Sequence, residues 1–167
     1  VGILINTTDF VGKFAVAQNS FSQLGNYITQ FEQNLLYKLL GKELADLFIA
    51  DLVAGVPQTQ KYLDIYDPLN VEFEGVFYET QGMKQMLIGF IWFEFQRYDK
   101  AKATIAGTFS NANENAREVG FGELNLYGRY NESVDAFNTI QSYCSAKPTD
   151  YPEFEKTSNL SFSHWSI

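Results

Sequence analysis

Apolar side chains recur every three or four residues through Leu24, Ile28, Phe31, Leu35 and Leu39, and Leu36 and Leu40 widen the stripe. That is the period of one helix face. Ser20 with Gln23 three residues on has the form of a capping box, so the helix is predicted to open there. Leu44, Leu47, Phe48 and Leu52 resume the period beyond Gly41, which reads as two helices or as one helix bent at that glycine. Pro57 suits a first helical position, and a short helix is predicted through Tyr62, Leu63 and Tyr66. Pro68 disfavours helical geometry at Asp67 and ends it. Val71, Phe73, Val76 and Phe77 then alternate with Glu72, Glu74 and Glu79 around Gly75, as a short β-hairpin or two extended pieces would.

From Gly82 the pattern changes. Met83, Met86, Leu87, Phe90, Ile91, Phe93 and Phe95 cover nearly every face of a helix predicted over 82–102. A helix apolar all round lies in the middle of a bundle. Glu94 and Arg97 are three apart and can pair on one side of it. A polar, asparagine-rich loop follows over 107–120, and a loop of that length within a compact domain points to function or disorder. The last predicted helix, 122–146, places Tyr127, Tyr130, Val134, Phe137, Ile140 and Cys144 on one stripe. The expected fold class is therefore mainly α: a small helical bundle with a short β-hairpin or extended segment and a long inter-helix loop. An N-terminal arm, 1–19, in which Ile3 and Ile5 suit a short strand, precedes a helical domain at 20–146. A tail at 147–167 begins with Pro148 and Pro152 and carries Tyr151, Phe154, Phe162 and Trp165.

A chain of 167 residues suits one domain with a core of its own. Aromatics make up 16%, with 15 Phe and 10 Tyr, a load that fits either a Phe-rich core or rings placed at interfaces. Twelve Lys and Arg stand against 20 Asp and Glu, a net charge of −8, and the basic residues are scattered singly. Grip on a phosphate backbone needs a basic face, so neither nucleic acid nor an anionic membrane is an expected ligand. An acidic surface can still line a channel through which DNA slides without adhering. The apolar run around 86–93 falls short of the ~20 residues of a spanning helix, and the N-terminus lacks the basic start of a signal peptide.

Chemistry is sparse. Cys144, the only cysteine, lies in phase with an apolar stripe and is expected to be a buried thiol. His164, the only histidine, sits in the tail and is expected to be exposed, whereas a Ser-His-Asp or Cys-His device needs an ordered histidine beside its nucleophile. No zinc set can be assembled, and Asp46 with Asp51 or Asp64 with Asp67 lack calcium-loop spacing. No catalytic residue, metal or cofactor is expected, and the chain is read as a non-enzyme.

Five segments carry a resemblance: Leu39-Leu40-Gly41-Lys42-Glu43-Leu44, Gly82-Met83-Lys84, Asn113-Glu114-Asn115-Ala116-Arg117-Glu118-Val119, Tyr130-Asn131, and Asp150-Tyr151-Pro152-Glu153-Phe154. In this order, over residues 20–155, the chain resembles the head–tail connector proteins of tailed bacteriophages, also called neck adaptor or ring proteins, in the form found in phages of Bacteroidetes and their crAss-like group. The resemblance implies a structural virion protein, made in the host cytoplasm and placed in the phage neck. It implies a homo-oligomeric ring, a dodecamer, that joins the portal protein to the next neck or tail ring protein and extends the DNA channel. Genome DNA would pass without specific binding, and no membrane is involved. On this reading Phe109, Asn111, Asn113, Asn115 and Arg117 form an inter-subunit contact loop. Tyr151, Phe154, Phe162 and Trp165 form a tail that docks on the portal. The alternative is a non-enzymatic helical binding module for a regulatory or host protein.

Overall fold

The computed structural model describes residues 2–100, 103–104, 107–108, 126–157 and 160. The fold is mainly α, a small helical bundle with short antiparallel hairpins, as the hydrophobic pattern predicts. Three 3-10 turns, Thr7–Asp9, Gly12–Phe14 and Gln18–Ser20, lead into α1 (Phe21–Leu40). A break at Gly41 separates α1 from α2 (Lys42–Ala50), so the two-helix reading holds. A hairpin of β1 (Leu52–Val53) and β2 (Val56–Pro57) precedes α3 (Gln60–Tyr66). Next come β3 (Leu69–Phe73) and β4 (Val76–Thr80), paired across Glu74 and Gly75. The long helices α4 (Met83–Lys100) and α5 (Leu126–Ala146) follow, with a small pairing of β5 (Ala103–Thr104) and β6 (Gly107–Thr108) after α4. β6 occupies the first residues of the predicted 107–120 loop, and β5 lies beyond the predicted end of the central helix at 102.

Helix α4 is the centre of the molecule, packed between α1 and α5. Met83, Met86, Leu87, Ile88, Phe90, Ile91, Trp92, Phe93 and Phe95 are all buried, which is why its sequence shows no polar face. Phe93 meets Tyr127 and Tyr130, while Phe90 meets Tyr130 and Phe137, so α4 and α5 run antiparallel with their aromatic stripes interleaved. The predicted Glu94–Arg97 pair forms at 2.7 Å on the exposed side.

Several local expectations are corrected. Ser20 makes no side-chain cap: the preceding 3-10 turn already brings its backbone to helical geometry, so no extended N-cap residue exists for the box to close. Pro57 pairs with Leu52 in a strand and does not open a helix. The start of α3 is held instead by Asp51, whose carboxylate accepts the Gln58 and Thr59 amides at 2.7 and 2.8 Å and the Thr59 hydroxyl at 2.6 Å. The Thr59 hydroxyl contact does most to hold its pKa below the ordinary aspartate value.

The segment 1–19, expected as an N-terminal arm, contributes to the core. Leu4, Ile5, Phe10 and Phe14 are core residues. No strand forms at Ile3–Ile5, because the amides of Ile3, Leu4 and Ile5 all donate to the buried Glu32 carboxylate, at 2.5, 2.7 and 3.0 Å. The domain also extends past residue 147. Asp150 and Tyr151 turn back onto the Lys147 carbonyl, and the Thr157 hydroxyl donates to the Lys38 carbonyl at the end of α1 at 2.5 Å. Gly41 permits this return, since a Cβ there would lie 3.0–3.2 Å from atoms of Glu155.

Gly82 sets the angle at which the hairpin hands over to α4. Its φ is +86°, and an added Cβ would lie 2.7 Å from the Tyr66 carbonyl oxygen and 2.9 Å from the Asp67 carbonyl carbon. Gly82→Ala therefore combines left-handed strain with a backbone collision. It is expected to cost about 2–4 kcal/mol in urea denaturation. Gly75→Asn is the control: φ is +76°, but nothing lies within 4 Å, and asparagine tolerates this region. A Gly82→Ala protein as stable as Gly75→Asn contradicts the close approach.

Candidate interaction site

The β3–β4 ladder sets two faces. Leu69↔Thr80, Val71↔Tyr78 and Phe73↔Val76 alternate with Asn70↔Glu79 and Glu72↔Phe77. The first set faces the bundle, where Tyr78 is buried edge-on to Tyr143 of α5 with ring centroids 5.4 Å apart. The second set faces out. Phe77 therefore stands on the polar side of the hairpin, 60% exposed, across the ladder from Glu72 and on the same face as Glu79. At the tip, Val76 is 51% exposed. The turn takes φ of +50° at Glu74 and +76° at Gly75, the positive values that a tight two-residue hairpin turn requires at both centres.

Phe77 and Glu79 form one wall of a groove of about 710 Å³ between the hairpin, the start of α4 and the middle of α5. Phe14, Met86 and Ala136 give it an apolar floor, and Gln85 and Thr139 contribute polar groups. Its charged groups are one lysine, Lys13, against three carboxylates, Glu79, Glu132 and Asp135. Lys13 is spent on Glu132. Glu79 and Asp135, and also Glu72 and Glu74 outside the groove, are exposed and make no ion pair to a described residue. The Lys13 wall is fixed from behind: its carbonyl accepts a hydrogen bond from Arg129, whose guanidinium lies 4.5 Å from the Trp92 ring centroid and 5.9 Å from that of Phe14.

The site residues expected from the sequence fall elsewhere. Phe109, Asn111, Asn113, Asn115, Arg117, Phe162 and Trp165 lie outside the described residues, as does His164. Tyr151 is a correction: it is 2% exposed, its ring packs by Tyr143, and its hydroxyl donates to the Lys61 carbonyl at 2.6 Å. It is an anchor of its own domain. Phe154 is partly buried against the same core. Phe77 was missed, yet its signal was readable. In a ladder with Phe73 opposite Val76, an aromatic at position 77 falls on the glutamate side.

Other candidate chemistry has local partners. Asp46 binds Lys42 at 2.6 Å and the Tyr37 hydroxyl at 2.9 Å, Lys42 being the larger cause of its lowered pKa. Asp64 accepts from Gln60 at 2.7 Å. Among the described residues no group of three or more His, Cys, Asp or Glu side chains could hold a metal ion. Cys144 is buried as expected, and burial pushes its thiol up to about 12, so it stays protonated and unreactive. No described helix is long and apolar enough to cross a membrane.

The groove is thus an acidic, apolar-floored surface between the hairpin, α4 and α5. No protein-family model matches the chain, and no curated protein or solved structure matches it.

Proposed function

We propose that this chain is a non-catalytic assembly subunit, a ring-forming adaptor of a tailed-phage neck that joins the portal to the next neck or tail component. The observation that carries the assembly reading is Phe77, more than half exposed on a braced hairpin, with Glu72 and Glu79 on the same face. An isolated exposed valine calls for no explanation, but a large ring held in water above an apolar groove supports an interaction surface. The ring and the neck rest on the resemblance of the sequence to connector proteins. The acidic surface supports the channel role, because a repeated negative lining lets DNA slide without sticking. In this proposal 107–120, with Phe109, Asn111, Asn113, Asn115 and Arg117, meets neighbouring subunits. Phe162 and Trp165 reach the portal.

The test is assembly. The purified chain, alone and mixed with the portal protein of the phage that this reading implies, is examined by light scattering and negative-stain imaging. A ring with the portal's symmetry is expected on mixing. A chain that stays monomeric with the portal present, and leaves portal particles unchanged, removes the neck assignment and favours the helical binding module.

A further inference from the structure

We propose that the Phe77 groove is the docking site for a basic segment of a different protein chain, one that inserts an apolar side chain between Phe77, Phe14 and Met86. The inference rests on the reading of this chain as an assembly subunit and adds the chemistry of one partner.

Three observations determine that chemistry. The floor is apolar and the rim anionic: Glu79 and Asp135 flank it, both exposed and unpaired among the described residues, while the single lysine is neutralised by Glu132. An incoming lysine or arginine therefore finds two free carboxylates, and an anionic ligand such as nucleic acid or a phospholipid headgroup is repelled. The receiving surface is preorganised. The β3–β4 ladder fixes Phe77, Tyr78 binds that hairpin to α5, and Arg129 on Trp92 braces the Lys13–Phe14 wall. Little ordering cost remains on this side of the contact.

A second copy is the weaker occupant. The rim of the groove is anionic and the chain as a whole carries a net charge of −8, so a second copy would have to bring a locally basic face to this groove. Among the described residues, the other exposed apolar side chains include Val11 near Asp9 and Lys13, Leu47 next to Asp46, Val53 two residues from Asp51, and Tyr98 beside Arg97, whose guanidinium is paired with Glu94. None of these four has an unpaired lysine or arginine next to it in sequence.

The experiment uses the full chain and two short fluorescein-labelled peptides, one alternating lysine with leucine and the other alternating glutamate with leucine. Binding is read by fluorescence anisotropy at low and high salt. The lysine peptide is expected to bind and to weaken with salt, and the glutamate peptide is expected not to bind. Phe77→Ser should lower affinity for the lysine peptide at least about tenfold, as loss of an aromatic anchor does. Glu79→Lys with Asp135→Lys should lower it similarly and flatten the salt dependence. All three positions are exposed, and circular dichroism verifies that each variant is folded. The proposal is overturned if neither peptide binds, if both bind alike, or if the lysine peptide binds both variants as it binds the parent. It is also overturned if sedimentation shows the parent self-associating in a way that Phe77→Ser abolishes, because the groove then belongs to a second copy. The neck reading stands or falls separately: peptide binding without a portal ring removes the neck and leaves the groove, and a portal ring unaffected by a failed peptide test does the reverse.

Discussion

Replacing Glu32 with alanine is expected to destabilise the protein by about 3–6 kcal/mol, enough to unfold a marginal domain. Glu32 is 1% exposed, and its two oxygens receive the backbone amides of Ile3, Leu4 and Ile5. Charge-assisted bonds of this kind are short and strong, and here they are the only described acceptors for those donors. Removal of the carboxylate leaves two outcomes. If the segment stays in place, buried amides lose their acceptor at about 1–3 kcal/mol each. If it peels away, Leu4 and Ile5 leave the core, at about 1.5–3 kcal/mol each for the lost burial. Neither route is cheap, so the floor on the effect is high. Glu32→Gln keeps one acceptor oxygen but turns an NH₂ toward an amide donor, and it should fall between parent and alanine. Urea denaturation midpoints at neutral pH measure both. A loss below about 1 kcal/mol for the alanine variant shows that the N-terminal segment is held by something else.

Glu32 also shows where a sequence stops being readable. The stripe Leu24, Ile28, Leu36, Leu40 announces α1, and position 32 falls inside it, on the face that must be buried. Periodicity can flag a carboxylate on the wrong face. It cannot say that three amides from residues far away in sequence will meet it. The same division runs through the fold. Helix period, the stop at Pro68, the hairpin around Gly75, the all-round apolar α4, the Glu94–Arg97 pair and the buried Cys144 are local or compositional, and each was legible. Asp51 reaching forward to the start of α3 and Tyr151 reaching back to the Lys61 carbonyl depend on chain reversals that no local pattern encodes. Tyr151 misled for a physical reason: an aromatic after a helix-ending proline reads alike whether the chain departs from the domain or folds back onto it. At the site, strand alternation exposed Phe77 once the register was known, and a shift of one residue would have hidden it.

Phe137→Ala is the second large loss, about 3–5 kcal/mol, and Phe90→Ala should match it. Phe137 is fully buried at the α4–α5 seam, and its ring meets that of Phe90 edge to face, with centroids 6.3 Å apart and planes at 83°. Phe90 also meets Tyr130 at 5.5 Å. Each truncation opens a cavity between two long helices that cannot close without moving the stripes that hold them together, so relaxation should recover little. Because the rings touch, the double variant should cost less than the sum of the two, with a coupling of about 0.5–1.5 kcal/mol. Phe77→Ala supplies the contrast. Its ring is mostly in water, so its removal should change stability by about 0.5 kcal/mol or less. The three phenylalanines thus separate the two uses of an aromatic in this chain: Phe90 and Phe137 hold the bundle together, and Phe77 is free for a partner. A Phe137→Ala protein that loses less than about 1 kcal/mol would show that α5 does not pack on α4 through this face, and the groove built between them would fall with it.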